Sequence, residues 1–331
     1  MKHINILVYS QLRDLPEWDK SKYPESEYDI RFNSTEDIIW DCVVVRQNVS
    51  TPFSFRCKNG NVIYLNCEPP IMAPLPHSFT NQFDMVVVQN PKVKHSNKID
   101  HHGYESWTIG RDFSTFSNRY TYEDLENLHP HKTKNISVIT SNKLLTPGHI
   151  KRVEVLKKLL DDFPGQIDMF GKGFNYVDIK ADALIPYRFH ICIENAFVPN
   201  CLTEKFSDPV LAETVPIYSG CPNVSDFFGD RGYIKFDINN YESLKVIIHE
   251  ILDNPEANYN KYITDLREVK KILMEKENIV AFIADHLRRN TNSEYREYTI
   301  KPLEQTRGYK YQMLRIRIHR FLFKVFSKLF A

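Results

Sequence analysis

Residues Tyr187–Phe228 read YRFHICIENAFVPNCLTEKFSDPVLAETVPIYSGCPNVSDFF. His190–Ile193 reads as a short buried strand. Glu194 and Asn195 then stand at its carboxyl end, where open α/β sheets bind ligands. A loop containing Pro199 follows. Thr203 has the hydroxyl of a helix N-cap, which places Glu204 and Lys205 in the first turn of the next helix. A helix N-terminus offers free N–H groups and the positive end of the helix dipole, so it suits an anion such as a diphosphate. Lys205 adds a point charge there, and the Glu204 carboxylate suits the two hydroxyls of a ribose diol. The strand Val215–Tyr218 and a Gly220-Cys221-Pro222 turn close the unit. These features alone predict a nucleotide or phosphate site in an α/β domain.

The flanking sequence repeats the pattern. Ile4–Tyr9, Cys42–Arg46, Val62–Asn66 and Met85–Gln89 are β-rich runs, most of them continuously apolar, as in a parallel sheet covered on both faces. Ile136–Thr140 and Ile167–Phe170 read as further strands. His149–Leu160, Tyr241–Leu252 and Tyr262–Arg289 read as helices. Strand, helix and strand in alternation imply α/β architecture. The prolines Pro69, Pro70, Pro74 and Pro76 exclude an ordinary helix after Val62–Asn66. The polar run Tyr120–Lys134, with HPHKTKN at 129–135, sets the expected domain boundary. The expected division is 1–134, 135–300 and a tail, 301–331.

The chain's 331 residues predict about two domains. With 43 Lys and Arg against 42 Asp and Glu, the net charge of +1 argues against a nucleic-acid binder. Six scattered cysteines without a Cys-x-x-Cys pair predict reduced thiols and neither a zinc ribbon nor a disulfide framework. His101-His102 is an adjacent pair without helical metal spacing and reads as surface. His129 and His131 read as linker, and Gly171-Lys172-Gly173 as a tight turn. The tail is different. From Thr306 onward there are seven Lys or Arg and no acid, which leaves 36 basic against 42 acidic residues in the rest of the chain. Leu314, Ile318, Phe321, Leu322, Val325 and Leu329 share one helical face, and Arg317, Arg320, Lys324 and Lys328 another. A basic amphipathic helix of this kind suits an anionic membrane surface.

The long stretch resembles the α-1,3-fucosyltransferases of glycosyltransferase family 10. The resemblance rests on Tyr187-Arg188-Phe189, Ile193-Glu194-Asn195, Thr203-Glu204-Lys205-Phe206, Thr214-Val215-Pro216-Ile217 and Gly220-Cys221-Pro222-Asn223, in that order. Upstream it extends more loosely to Ser141-Asn142, Arg152, Phe170-Gly171-Lys172-Gly173 and Glu68. Two departures stand out: Cys201 where the family commonly has a tyrosine, and Pro209 inside the helix after Lys205, expected to kink or shorten that helix.

The resemblance implies a GT-B fold: two Rossmann-like domains facing across a cleft, acceptor on the N-terminal and nucleotide sugar on the C-terminal domain. It implies GDP-fucose as donor, a glycan as acceptor, inversion at the anomeric carbon and no obligatory metal or other cofactor. The sequence contains no Asp-x-Asp triplet. Arg152, Glu194, Asn195, Thr203, Glu204 and Lys205 are the expected donor-binding residues, with Arg152 and Lys205 on the diphosphate. For Glu194 a bond to backbone is the rival role, and for Asn195 turn formation. Glu68 is the expected general base, with Asp84 and Glu105 as substitutes. Together with the tail and the absence of an N-terminal anchor, the resemblance predicts a bacterial-type enzyme on the cytoplasmic face of the inner membrane. Its expected product is an α-1,3 linkage to GlcNAc or Glc in lipopolysaccharide O-antigen or another surface polysaccharide. The competing expectations are the same fold with another nucleotide sugar, and a catalytically silent glycan-binding protein on the membrane.

Overall fold

The computed structural model describes residues 3–318 apart from 14, 24–26, 70–74 and 142–146. Pro70, Pro74, Asn142 and the tail residues from 319 onward lie outside the described residues. Two compact units form. The first holds Trp18–Glu105 with the initial strand and the chain from Asn278; the second is built mainly of Ser106–Glu277.

The first unit contains a parallel six-stranded sheet of β1 (Ile4–Tyr9), β2 (Tyr28–Phe32), β3 (Cys42–Arg46), β4 (Val62–Asn66), β5 (Met85–Val88) and β6 (Lys98–Asp100), in the order β2-β1-β3-β4-β5-β6. Every residue of β3, β4 and β5 is buried, which explains their unbroken apolar sequence. A small sheet of Ile39–Trp40, Phe53–Lys58 and Tyr295–Ile300 belongs to the same unit.

The second unit carries a parallel five-stranded sheet of β7 (Lys134–Ile139), β8 (Ile167–Phe170), β9 (Tyr187–Ile193), β10 (Val215–Ser219) and β11 (Ile234–Lys235), in the order β8-β7-β9-β10-β11. The order reverses between β7 and β9, so the crevice beyond their carboxyl ends is the topological switch point. Helices α1 (Pro147–Asp162) and α2 (Glu204–Leu211) start on that side. Helices α3 (Tyr241–Asp253) and α4 (Pro255–Glu275) add to the core through Leu244, Ile248, Leu266 and Val269.

The α/β class is as expected, and the boundaries differ. The chain changes unit after Glu105, before the polar run, because Trp107, Ile109, Tyr122 and Leu125 are buried in the second unit's core. It returns to the first unit at Asn278. Tyr295–Ile300 pairs antiparallel with Phe53–Lys58, which ties the segment before the tail to the first unit. The helix expected over 262–289 is two helices, α4 and α5 (Ile279–Arg289). Asn278 starts the second by accepting hydrogen bonds from the N–H groups of Val280 (2.7 Å) and Ala281 (3.4 Å). His129 is no free linker residue, since its Nδ1 pairs with buried Glu213 at 2.6 Å. His102 is buried rather than on the surface. All six cysteines are free thiols and buried.

Candidate active site

Strand register builds the centre of the second unit. Ile193 lies opposite Ser219 across the β9–β10 pair. Glu194 therefore emerges beside Gly220, and its N–H donates to the Ser219 carbonyl at 2.9 Å. Gly220 is there for close approach. A Cβ on it would come within 2.3 Å of Glu194 Cγ and 2.6 Å of Tyr218 Oη. Gly148, in the first turn of α1, does the same on the other side, where a Cβ would lie 2.4 Å from the Asn195 carbonyl oxygen. The Glu194–Asn195 pair is thus held between the start of α1 and the turn after β10.

Glu194 is fully buried. Its Oε1 accepts from the Thr203 N–H (2.9 Å) and its Oε2 from the Thr203 hydroxyl (2.8 Å); Lys205 Nζ stands 3.7 Å from Oε2. Burial pushes its carboxyl up, against the pull of Lys205. Glu194 makes the backbone bond weighed as its rival role, with the Thr203 N–H. It fixes the start of α2 and orients Lys205.

Thr203 caps α2 as expected, with extended backbone and its hydroxyl accepting from the Lys205 N–H at 3.3 Å. Glu204 and Lys205 occupy the first turn. Lys205 Nζ lies 3.1 Å from Glu204 Oε1 and 3.2 Å from Thr203 Oγ1. Burial works against both charges, but each holds the other ionised. Lys205 is raised and Glu204 lowered from the ordinary values. Pro209 neither breaks nor delays the helix, which runs continuously from Glu204 to Leu211.

Arg152 on α1 is buried, at 4% exposure. Its Nη1 donates to Asn195 Oδ1 and its Nη2 to the Ser141 carbonyl at 3.3 Å. Among the described residues its Nε has no hydrogen-bond partner. Burial lowers its pKa, with Glu194 and Glu204 opposing. A buried guanidinium that, among the described residues, bonds only neutral oxygens and leaves one N–H unused is a cation ready for an anionic ligand. Asn195 presents its side-chain oxygen to that guanidinium. A cavity of about 560 Å³ lies at the Gly148 and Gly220 turns, lined also by Phe197, Tyr218, Phe236 and Asn239; none of the six expected donor residues lines it.

Three residues of this cluster escape the sequence reading. Lys180 Nζ lies 2.9 Å from Asp208 Oδ2, 2.8 Å from Thr108 Oγ1 and 3.6 Å from Glu204 Oε1. Thr108 also donates its N–H to Asp208 Oδ1 at 2.9 Å. Asp208 stands four residues after Glu204 on α2, a spacing that puts both on one helix face and was the available signal. Nothing in the sequence near Lys180 marks it. Cys201, at the position where the family commonly has tyrosine, is 2% exposed.

In the first unit Glu68 follows the carboxyl end of β4, as expected. Asn66 sets its backbone. The Glu68 N–H donates to Asn66 Oδ1 at 3.0 Å and Asn66 Nδ2 to the Glu68 carbonyl at 3.3 Å. Cys67 Sγ bonds the Gly103 carbonyl at 3.1 Å, which joins this loop to the one after β6. Glu68 itself is half-buried, and Glu105 lies in the loop beyond β6. Asp84 is removed as a substitute base. It precedes β5, and its Oδ2 reaches the amino end of β4, where it accepts from the Gly60 and Val62 N–H groups (3.1 and 3.0 Å) and from Tyr298 Oη (2.6 Å).

A family model described as "Glycosyltransferase family 10 (fucosyltransferase) C-term" matches residues 129–305, more than half of the chain. An alpha-(1,3)-fucosyltransferase B of Drosophila melanogaster is 36% identical over 81 residues, 24% of this chain and 18% of that protein. An alpha-(1,4)-fucosyltransferase of Arabidopsis thaliana is 28% identical over 176 residues, 45% of this chain and 41% of that protein. The chain spans less than half the length of these curated relatives. A crystal structure of an alpha1,3-fucosyltransferase with GDP covers 87% of this chain and 91% of its own, at 17% identity and a TM-score of 0.48.

Proposed function

The chain belongs to glycosyltransferase family 10, the fucosyltransferases, and from that premise we propose that it transfers L-fucose from GDP-fucose to a hydroxyl of a glycan, with inversion at the anomeric carbon. The observation that carries this reading is the buried Arg152 guanidinium at the switch point, bonded to Asn195 and with no partner for its Nε among the described residues. Lys205 and the amino end of α2 supply the second cation and the N–H groups suited to a diphosphate.

In the proposed reaction the acceptor oxygen bonds to the anomeric carbon as the bond from that carbon to the GDP oxygen breaks. Glu68 takes the acceptor proton as general base. Arg152, Lys205 and the helix end neutralise the charge left on GDP, so the reaction needs no divalent ion. Glu204 accepts hydrogen bonds from the ribose hydroxyls, while Thr203, Glu194 and Asn195 position the cations. The acceptor is a GlcNAc- or Glc-containing surface polysaccharide such as lipopolysaccharide, joined through an α-1,3 linkage.

The enzyme acts on the cytoplasmic face of the inner membrane, held peripherally by its basic tail. Supporting this, the part of the tail helix within the described residues leaves Leu314 and Ile318 56% and 49% exposed. A second reading, the same chemistry with another nucleotide sugar, is favoured by Cys201, which stands where the family commonly has a tyrosine.

The test is GDP release from GDP-fucose with and without a GlcNAc-containing disaccharide. Acceptor-dependent release is expected. Glu68→Gln should lower kcat by about 10²–10⁴-fold with GDP affinity unchanged. Full activity in Glu68→Gln would remove Glu68 as the base.

A further inference from the structure

We propose that Lys180, anchored by Asp208 and Thr108, is a positioning residue that fixes the Glu204 carboxylate for recognition of the nucleotide's ribose diol. This rests on the nucleotide-sugar reading above and assigns a role to residues which that reading leaves unused.

Glu204 must stay ionised and hold one orientation to accept two hydrogen bonds from a diol. Two lysines approach the same oxygen, Oε1: Lys205 at 3.1 Å and Lys180 at 3.6 Å. Both act on one oxygen, and the side chain keeps 27% of its surface exposed. Lys205 is also shared with Thr203 Oγ1 at 3.2 Å and Glu194 Oε2 at 3.7 Å. A diphosphate at the start of α2 draws Lys205 toward itself, because a doubly charged anion outcompetes one carboxylate. The cation that then still holds Glu204 is Lys180.

Lys180 is built to stay where it is. Its ammonium bonds Asp208 Oδ2 (2.9 Å) and Thr108 Oγ1 (2.8 Å). Asp208 has only 2% of its side chain exposed, and both its oxygens are engaged by Thr108, through the backbone N–H and the hydroxyl, at 2.9 Å each. The segment bearing Lys180 is itself tied down by the Ala181 N–H, which donates to the Ile109 carbonyl at 2.9 Å. Lys180 keeps 24% of its side chain exposed, whereas Asp208 keeps 2%. Three separate segments thus meet at one ammonium, whose outer side touches the carboxylate.

The test is calorimetric titration of the full chain with GDP and with 2′-deoxy-GDP. The unaltered protein should bind 2′-deoxy-GDP about tenfold more weakly, the loss of one charge-assisted hydrogen bond. Lys180→Gln combined with Asp208→Asn removes the ion pair without leaving a lone buried charge. It should bring the ratio close to one by weakening GDP, with 2′-deoxy-GDP affinity little changed. Lys180→Arg should keep the ratio. Should the double variant fail to fold by circular dichroism, Lys180→Gln alone is read in the same way. A wild-type ratio in the Gln variants overturns the inference while leaving the donor assignment intact, and so does a natural chain that binds both nucleotides equally. A folded natural chain that binds no guanosine nucleotide overturns the donor reading and the inference with it.

Discussion

Burial keeps His190 neutral far into acid. It sits on β9 inside the second sheet, its Nδ1 2.7 Å from Ser137 Oγ, and desolvation, with Lys180 nearby, pushes it down to about 3. The unfolded chain takes up this proton below about pH 6.5, and the folded chain does so only near pH 3. The contribution is therefore fully present above the unfolded value and is lost as pH falls through that window, by up to about 1.4 kcal/mol per pH unit. Thermal unfolding followed from pH 7 down to 4 should show a shallower fall in Tm for His190→Gln than for the natural chain. Parallel curves would show that His190 does not set the slope. Thr203, Glu204 and Lys205 fall at a helix start by residue type, a hydroxyl before the helix and charges in its first turn, whereas Arg152 on a basic helix reads as solvated without the family resemblance. Glu194 is less legible, because the burial of a carboxylate at a strand end is supplied only by the fold.

The start of α2 works because of what surrounds it. Its cap, its first-turn charges and the strand ends beside it are fixed by the β9–β10 register and by the tight turn at Gly220. Gly220→Ala would force a Cβ to within 2.3 Å of Glu194 Cγ. We expect a loss of about 1–3 kcal/mol in stability, read by denaturant unfolding, together with weaker GDP binding. An unchanged midpoint would show that the turn relaxes freely. The strands with continuous apolar sequence were legible to within a few residues. Those missed lack a continuous apolar run: Tyr28–Phe32 carries charges on an edge, Phe53–Lys58 in the middle of the small sheet mixes polar and apolar residues, and Tyr295–Ile300 keeps an exposed outer face. The join between α4 and α5 was missed because apolar periodicity continues across Lys276–Asn278, and only the Asn278 cap marks the break.

At the scale of the whole molecule, polar sequence proved a poor guide to the boundary. The run 129–135 is a surface strap of the second unit, buttressed by Lys132, whose buried Nζ donates to the Ile185 and Ala212 carbonyls at 2.9 and 2.7 Å. The C-terminal return to the first unit depends on long-range strand pairing, which no local pattern announces. The tail makes a prediction of its own. Reversing Arg317, Arg320, Lys324 and Lys328 to Glu should release the protein from vesicles containing anionic lipid while turnover of a soluble acceptor continues. Undiminished vesicle binding in co-sedimentation would refute the membrane role of that face. The central claim, a guanosine-diphosphate sugar site at the switch point of the second sheet, is tested most directly by calorimetry of the full chain against GDP, GDP-fucose and UDP, with and without a chelator. One site is expected that takes GDP and GDP-fucose, prefers them to UDP by about tenfold or more, and is unaffected by the chelator. A uridine preference, a requirement for metal, or no nucleotide binding by folded protein would contradict it.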